Sequence, residues 1–534
     1  MRLDYKKIFY IGIIFFIISM FWQTYDMLIA RLVIDKFGLS QTWSGIIMAL
    51  DNILAVFLLP IFGTLSDHSK AKIGRRTPFI IIGTLVASLA FMALCYSDHL
   101  QTEKLNTTSI RTEYDIAFNN NIDEYREVHW LIVIDNMHNE RIESYNNGDI
   151  TYDDFLNYEL NTETKMLEVL ANTSTPLSKR EIYEIKELYY NYLSSRAWDL
   201  TKSDPKILII FVITLFVAIF GMSIFRSPAV ALMPDVTIKP LRSKANAVIT
   251  FMGAVGGIFG VYIIMLSGFN KHTYDNHSKV FLIIGITMII GLLVYLWKVD
   301  EPNWALERTD IEKTLEVRKA KKESLKSLSK RKRISLYFLL ISIFLLFMGY
   351  NAVMSKIADY LPKVLNLNFF DLPFILAQIG VILMIIPIGI MSMKIGRKPT
   401  IISGLILLFL AFVNIYFLKE NSPFLTAFTI FIAGIGLSMV SINTYVMVVE
   451  LESGNNAGLY TGYYYSATMG AQILTPILSG VFMDKFGRLI LFPYAALFLL
   501  LSLITFMFVK EGEAVKIKKG IFKKILAKRE SKWK

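Results

Sequence analysis

The sequence predicts an all-α membrane protein with twelve transmembrane helices arranged in two six-helix halves. Of its 534 residues, 54% are hydrophobic and 19% are charged, whereas soluble domains carry about 25% charged residues. Twelve segments are long and apolar enough to cross a bilayer, which takes about 20 residues each. A polar loop after the second of these segments recurs after the eighth. A repeat at this interval indicates a duplicated six-helix unit.

The apolar segments divide the chain into two halves, an insertion, a linker and a tail. The predicted spans are 8–33, 43–65, 78–97, 206–226, 245–269, 280–298, 335–355, 372–393, 399–418, 424–449, 458–483 and 489–509. The predicted domains are the N-terminal half (1–97 and 206–298), an insertion (98–205), a linker (299–334), the C-terminal half (335–509) and a basic tail (510–534). The first span is too long for a signal peptide and lacks a cleavage site, so we expect a membrane helix there.

Charge is distributed unevenly along the chain. Between Asp98 and Asp204 there are 10 basic and 21 acidic residues, whereas the rest of the chain has 46 basic and 23 acidic residues. Basic loops favour the cytoplasmic side. We therefore expect a multi-pass protein of the plasma membrane with both termini cytoplasmic and the insertion outside. Because the basic residues flank apolar spans, we expect the lipid bilayer as partner and no nucleic acid.

The insertion is too long for a simple loop in a compact protein. It contains helix-like stretches near 122–145 and 178–198, so we expect a small helical cap or partial disorder. Its acidic composition and its distance from the bilayer midplane predict that it modulates access to the pathway or contacts neighbouring molecules. The chain has one cysteine, Cys95, which excludes an intramolecular disulfide and a cysteine-based metal site.

The loop between the second and third spans carries the most informative motif. It reads Gly63-Thr-Leu-Ser-Asp67, then six residues, then Gly74-Arg75-Arg76. Gly63 permits close helix contact, and Asp67 at a helix end can pair with the arginines or with amides of the neighbouring helix. We predict that this cluster is a latch that stabilises one conformer. The simpler alternative is that Arg75 and Arg76 only set topology.

The loop between the eighth and ninth spans repeats the pattern. It has Gly389, Gly396 and Arg397 at matching places, with Met393 where an acid would stand. A third match at 480–488 falls on the outside by helix count, so we interpret it as a helix-connecting turn. In the fifth span, overlapping G-x-x-x-G pairs from Gly253 to Gly260 predict a close-packing face.

These motifs resemble the major facilitator superfamily. The long first loop is similar to that of the sucrose-transporter-like branch and of the glycoside-pentoside-hexuronide cation symporters. Other similar stretches are Asp51-Asn52, Met233-Pro-Asp235, Arg242-Ser-Lys-Ala-Asn246 and Gly458-Leu-Tyr-Thr-Gly462. The resemblance covers most of the chain except 98–205. It implies the major facilitator fold and cation-coupled solute uptake, most often of sugars.

Two acidic residues within the spans are candidates for proton coupling. Intramembrane charges are costly and usually functional. Asp26 lies in the first span, and Asp51 lies about 12 Å along the second at 1.5 Å per residue. The alternatives are a helix–helix hydrogen bond or an Asp26–Arg31 pair. We favour Asp51, because its depth is closer to the midplane and no basic residue lies within a helical turn.

Polar and aromatic residues inside the spans are candidates for solute binding, because sugar sites combine aromatic faces with hydrogen-bonding groups. The candidates are Trp22, Gln23, Asn52, Tyr350, Asn351, Gln378, Asn443 and Gln472. Each could equally hold helices together.

We therefore expect a monomeric transporter that works by alternating access and is not an enzyme, since the sequence contains no nucleotide-binding loop or hydrolytic triad. The favoured function is proton-coupled symport of a sugar, with Na⁺ as the alternative coupling ion and with no cofactor or metal. Two alternatives stay open: transport or export of another small organic solute, and a sensor that binds ligand through 98–205 without transport.

Overall fold

The computed structural model describes residues 4–111, 126–171, 179–237, 242–269, 273–315, 330–365, 367, 372–418, 422–450 and 457–510. Within these residues the protein is built from helices and short connections, with no strand. The basic tail 511–534 and most of the second half of the linker lie outside the described residues.

The helices follow the predicted order. They are α1 (Tyr5–Asp35), α2 (Gln41–His68), α3 (Thr77–Leu105), α4 (Arg126–Asn146), α5 (Tyr152–Tyr158), α6 (Thr164–Ala171), α7 (Lys179–Ser203), α8 (Lys206–Val236), α9 (Arg242–Leu266), α10 (Ser278–Lys298), α11 (Glu301–Leu315), α12 (Lys330–Leu365), α13 (Leu372–Ile395), α14 (Arg397–Phe417), α15 (Pro423–Glu450), α16 (Ala457–Phe486) and α17 (Leu491–Met507). A π-helical turn joins α5 to α6, and a 3₁₀ turn precedes α17.

The long apolar helices match the predicted spans. Among the described residues, eleven helices are long and apolar enough to cross a membrane. The helix α13, with 24 residues, lies where the eighth span was predicted. Several helices run further than expected: α3 continues to Leu105, and α8 continues past Pro228 to Val236. At these places a charged or proline residue follows the apolar run, so the sequence pattern ends the predicted span too early.

Matching glycine contacts in the two halves support the duplication. In the N-terminal half, a Cβ added at Gly83 of α3 would lie 2.7 Å from the carbonyl oxygen of Gly221 in α8. In the C-terminal half, a Cβ added at Gly404 of α14 would lie 2.7 Å from the carbonyl oxygen of Gly436 in α15. These are the third and fourth long helices of each half, so the same small-residue contact occurs at equivalent places.

The helix α9 packs on α1 through the predicted glycine face. A Cβ added at Gly256 would lie 2.1 Å from the carbonyl oxygen of Phe16, and one at Gly260 would lie 2.9 Å from that of Met20. The glycines therefore bring the two backbones into close contact, as G-x-x-x-G patterns do. This contact fixes α1, which carries Asp26.

The helices α4–α7 form a small unit at one end of the bundle, which we call the outer end; the opposite end is the inner end. This unit has its own apolar core around buried Met137, Tyr158, Met166, Tyr192 and Leu193. The expected helical cap is therefore present in the described part of 98–205. The segments 112–125 and 172–178 lie outside the described residues.

The two halves meet at the outer end. There α2 crosses α16 so closely that a Cβ added at Gly45 would lie 2.1 Å from the carbonyl oxygen of Pro476. A Cβ added at Gly480 would lie 2.4 Å from the carbonyl oxygen of Gln41. Among the described residues, the hydrogen bonds and ion pairs between the halves lie at this end. The conformer is therefore closed at the outer end.

Cysteine labelling tests the predicted orientation. In a Cys95→Ala background, Leu160→Cys in the inserted unit should react with an impermeant maleimide added outside intact cells. Leu306→Cys in α11 should react only after permeabilisation. Both leucines are well exposed, at 56% and 62%, so exposure does not bias the comparison. Outside labelling of Leu306→Cys would contradict the assigned topology.

Candidate solute and coupling site

The two candidate carboxylates lie at similar depth from the outer end. Asp26 precedes the end of α1 by nine residues, and Asp51 follows the start of α2 by ten, which corresponds to about 14 and 15 Å along the helix axes. The Tyr25 hydroxyl donates a hydrogen bond of 3.1 Å to the Ile47 carbonyl oxygen. This bond sets the register between the two helices. Depth therefore gives no reason to prefer Asp51 over Asp26.

A third charged residue, Arg226 of α8, completes the cluster. It interacts electrostatically with both Asp26 and Asp51, which also interact with each other. Among the described residues, no direct ion pair joins these three groups. All three side chains are half-buried. Oppositely charged groups thus interact within the apolar bundle without a direct ion pair.

Asp51 has no basic residue within a helical turn of its own helix, as expected, but Arg226 of α8 supplies a cation from another helix. It was missed because the fourth span was expected to end at residue 226. The Asp26–Arg31 alternative finds no support either. The Arg31 guanidinium instead lies 3.3 Å from the Asp35 carboxylate, one turn nearer the outer end.

Both halves contribute to this cluster. Tyr350 of α12 interacts electrostatically with Asp26, and Tyr465 of α16 interacts with Arg226. The Arg226 guanidinium also lies 5.6 Å from the ring centroid of Trp22, within the range of a cation–π contact. A group bound here would contact helices of both halves.

Two of the predicted solute-binding residues keep buried donors without a partner in the described residues. These donors are the Trp22 indole nitrogen and the Asn351 amide nitrogen. Buried donors are normally satisfied, so both can receive an acceptor atom of a bound molecule. Asn52 donates a 2.7 Å hydrogen bond to the Asp51 carboxylate and so orients that carboxylate. Gln23 faces α9, where its side-chain oxygen lies 3.9 Å from a Cβ built at Gly257.

The remaining polar candidates behave differently. Asn443 is buried and donates to the Met439 carbonyl oxygen at 2.8 Å, while its own side-chain oxygen accepts from Ser392 of α13. Its amide is thus used in packing α15 on α13 in this conformer, and solute binding by Asn443 stays a prediction. Gln472 is half-buried on α16, one turn from Pro476. Gln378 lies on α13, but its side chain is outside the described part.

At the inner end, the arginines of the predicted latch gather around Asp235, which lies near the end of α8. Arg75 and Arg76 both pair with its carboxylate, at 2.5 Å and 2.8 Å. Arg76 also pairs with Asp67 and donates to the carbonyl oxygen of Gly63. The latch thus ties the α2–α3 turn to α8. The Met233-Pro-Asp235 stretch is visible in the sequence, but the pairing of Asp235 with Arg75 and Arg76 was not predicted.

A second missed residue, Glu301 of α11, connects the latch to the linker. Its carboxylate accepts from the backbone amides of Arg76 and Thr77 at 2.9 Å and 2.8 Å. These amides belong to the first turn of α3, where an anion is stabilised. Gly74 has φ +115°, and a Cβ there would lie 2.2 Å from the Glu301 carboxylate oxygen. The glycine therefore permits both the turn and the approach of the linker.

The repeated loop in the C-terminal half keeps the turn without the acid. Gly396 has φ +102° and begins α14, and Gly389 lies within α13. Arg397 occupies the first turn of α14. The neighbouring Lys398 donates a 2.7 Å hydrogen bond to the Val509 carbonyl oxygen at the end of α17. Met393 stands in place of an acid, and the described side-chain contacts of this loop include the Lys398–Val509 bond and the hydrogen bond from Ser392 to Asn443.

A bundle of two helical halves, with half-buried charged groups next to both, is typical of a polytopic membrane transporter. The family described as Major Facilitator Superfamily matches residues 197–382 and 365–533, and the family described as MFS/sugar transport protein matches residues 10–102. The chain belongs to the Major Facilitator Superfamily. Its relatives are transporters and not enzymes.

One curated relative is the sucrose transport protein SUC4 of Arabidopsis thaliana, which is 30% identical over 61 residues. The match spans 11% of this chain and 12% of that protein, so the aligned stretch covers about an eighth of the relative's length.

Solved structures share the fold over nearly the whole chain. The xylose transporter XylE from E. coli in its inward-open conformation has a TM-score of 0.55 at 12% identity, covering 96% of this chain and 98% of that one. A D-xylose-proton symporter has a TM-score of 0.52 at 13% identity, covering 95% and 99%. A POT family transporter in complex with 5-aminolevulinic acid has 0.54 at 11% identity, covering 95% of each chain. At these identities the likeness establishes the fold alone.

The latch can be tested by comparing two carboxylates. Asp235→Asn removes the carboxylate that pairs with both Arg75 and Arg76. It should slow turnover roughly tenfold, because the two partly desolvated guanidinium groups then lose their shared anionic partner. Asp67 is 55% exposed, so Asp67→Asn should have a smaller effect. Solute affinity should stay within about twofold in both, because neither residue touches the solute site. Initial uptake rates and equilibrium binding measure the two quantities.

The latch role would be contradicted by either of two results. One is an Asp67→Asn defect as large as that of Asp235→Asn. The other is an Asp235→Asn variant that loses solute affinity while its turnover is unchanged.

Proposed function

We propose that this transporter is a proton-coupled sugar symporter that works by alternating access. The observation that carries the proposal is the cluster of Asp26, Asp51 and Arg226 between the halves. Two carboxylates and one guanidinium leave one negative charge without a protein counter-charge. Burying such a charge at bilayer depth is unfavourable, so the site favours binding of one cation.

A proton suits this site because a carboxylate can take up and release it as access changes. When the site faces the side of higher proton concentration, protonation of Asp26 or Asp51 leaves a neutral cluster that can close. When it opens to the other side, proton release restores the negative charge. Arg226 can interact with either carboxylate. Loss of a proton from one carboxylate therefore changes the electrostatic interactions of the other. Na⁺ is the alternative ion.

The polar groups around the cluster support a polyhydroxylated solute. The Trp22 and Asn351 donors can bond to solute oxygens, and the Asp26 and Asp51 carboxylates can accept from solute hydroxyls. The Trp22 ring offers an apolar face. The likeness to a sucrose transport protein and to a D-xylose-proton symporter supports the same solute class. A small organic acid is the second candidate, because Arg226 provides a cation for a carboxylate.

Several further features are part of this proposal. The basic inner loops support a cytoplasmic inner end with both termini cytoplasmic. A plasma-membrane location and uptake from outside belong to the same proposal. We expect the monomer to be the working unit, because one bundle contains the whole charged cluster. A sensor without transport is disfavoured by membership of a transporter family.

Asparagine variants of the two carboxylates separate coupling from structure. In liposomes, Asp26→Asn or Asp51→Asn should abolish accumulation driven by a pH gradient. Exchange of labelled solute at equal concentrations should continue within a few-fold of wild type, because exchange needs no net proton release. Asp153→Asn, on the exposed face of the inserted unit, is the matched control and should accumulate solute normally.

The solute is found by screening a sugar panel under imposed pH or sodium gradients. Accumulation that persists in the Asp26→Asn, Asp51→Asn double variant would remove both residues from the coupling mechanism. Accumulation that follows the sodium gradient alone would replace the proton with Na⁺.

A further inference from the structure

Buried ion pairs join the two halves at the outer end. The Lys363 ammonium of α12 lies 2.5 Å from the Asp35 carboxylate of α1 and 2.7 Å from that of Asp359 in its own helix. All three side chains are at most 2% exposed. Because a desolvated charge is costly without its partner, separating α1 from α12 here requires the groups to be rehydrated or paired anew.

The last turn of α16 extends this network to α2. Asp484 accepts hydrogen bonds from the backbone amides of Gln41 and Thr42 at 2.8 Å and 2.9 Å. It therefore caps the first turn of a helix in the other half. The third repeat of the loop motif does connect two helices, as predicted, but it also holds the halves together.

The inserted unit joins the same network through α7. The Arg488 guanidinium lies 2.7 Å from the Asp359 carboxylate and 2.5 Å from that of Glu187 in α7. The Lys363 ammonium lies 5.4 Å from the ring centroid of Tyr190, one turn from Glu187. A helix of the insertion thus binds two cations of the C-terminal half.

The same helix is fixed to the N-terminal half. Gly38, with φ +69°, allows the turn after α1 to lie against α7, since a Cβ there would be 2.2 Å from the Trp198 backbone nitrogen. The Gln101 amide of α3 donates to the Lys36 carbonyl oxygen at 2.7 Å and to the Thr201 hydroxyl at 3.2 Å. The helix α7 therefore moves with the N-terminal half.

We propose that α7 is a clamp for the outer end, with the Glu187–Arg488 pair as the contact that must break before solute can enter from outside. Because α7 is attached to one half and Arg488 belongs to the other, any opening of the outer end separates the pair. The clamp stabilises the outer-closed conformer and so sets the fraction of molecules that present the site to the outside. This role depends on neither the solute nor the coupling ion.

Pulsed electron resonance distances between the two halves test the clamp directly. Spin labels at Tyr96→Cys and Phe417→Cys, in the Cys95→Ala background of the full-length protein, report the outer end. Both positions are exposed, at 61% and 71%, near the outer ends of α3 and α14. Glu187→Gln should raise the ratio of long to short distances roughly tenfold or more, the loss expected for a hydrogen bond between charged groups.

Three further variants complete the design. Glu143→Gln makes the same change at an exposed residue of the inserted unit and should leave the distances as in wild type. Asp484→Asn should open the outer end while leaving the contacts of α7 unchanged. This variant therefore tests whether the labels detect opening. Glu187→Asp keeps the charge but shortens the side chain, so it should shift the ratio in the same direction as Glu187→Gln.

The outcomes decide the proposal. A shift in both Glu187 variants and in Asp484→Asn, with none in Glu143→Gln, supports the clamp. A shift in Asp484→Asn alone overturns it, as does an equal shift in Glu143→Gln. These readouts stay informative even if solute coupling proves different, since no solute is added.

Discussion

The organising constraint of this protein is that charged side chains lie at depths where an unpaired charge is expensive. Asp26, Asp51 and Arg226 lie between the halves and interact electrostatically, but no direct ion pair joins them among the described residues. At the outer end, by contrast, Asp35, Lys363 and related residues pair at short distances. The second cluster is satisfied by the protein itself, whereas the first has no direct ion pair. This contrast underlies the proposals of a binding site between the halves and a gate at the outer end.

Glycines allow the close helix contacts on which the charged cluster and the outer-end ion pairs both depend. Close backbone contacts of α9 on α1, and of α2 on α16, occur where Gly256 and Gly45 leave no room for a Cβ. The first contact fixes the helix that carries Asp26, while the second lies between the halves and must loosen when the outer end opens. Similar small-residue contacts therefore serve a permanent interface within one half and a temporary one between the two.

The fold could be predicted from the sequence because the signals for membrane helices are strong. Apolar length, basic loops and a repeated motif each depend on local residues, and they placed the helices closely. The errors lie at helix ends: the fourth span was ended at Arg226, although α8 continues to Val236. A charge at the end of an apolar run looks like a boundary, and only packing against Asp26 and Asp51 shows that it lies inside. Asp235 and Glu301 were missed as latch residues because their partners are distant in sequence.

The central claim, that solute and proton cross together through the Asp26–Asp51–Arg226 cluster, is tested most directly by solute-driven proton movement. Liposomes loaded with a pH-sensitive dye receive an inward gradient of a transported sugar at equal pH on both sides. The account predicts acidification of the interior with wild-type protein and none with the Asp26→Asn, Asp51→Asn double variant, although solute still enters. Solute entry without acidification in wild type, or full acidification with the double variant, would contradict it.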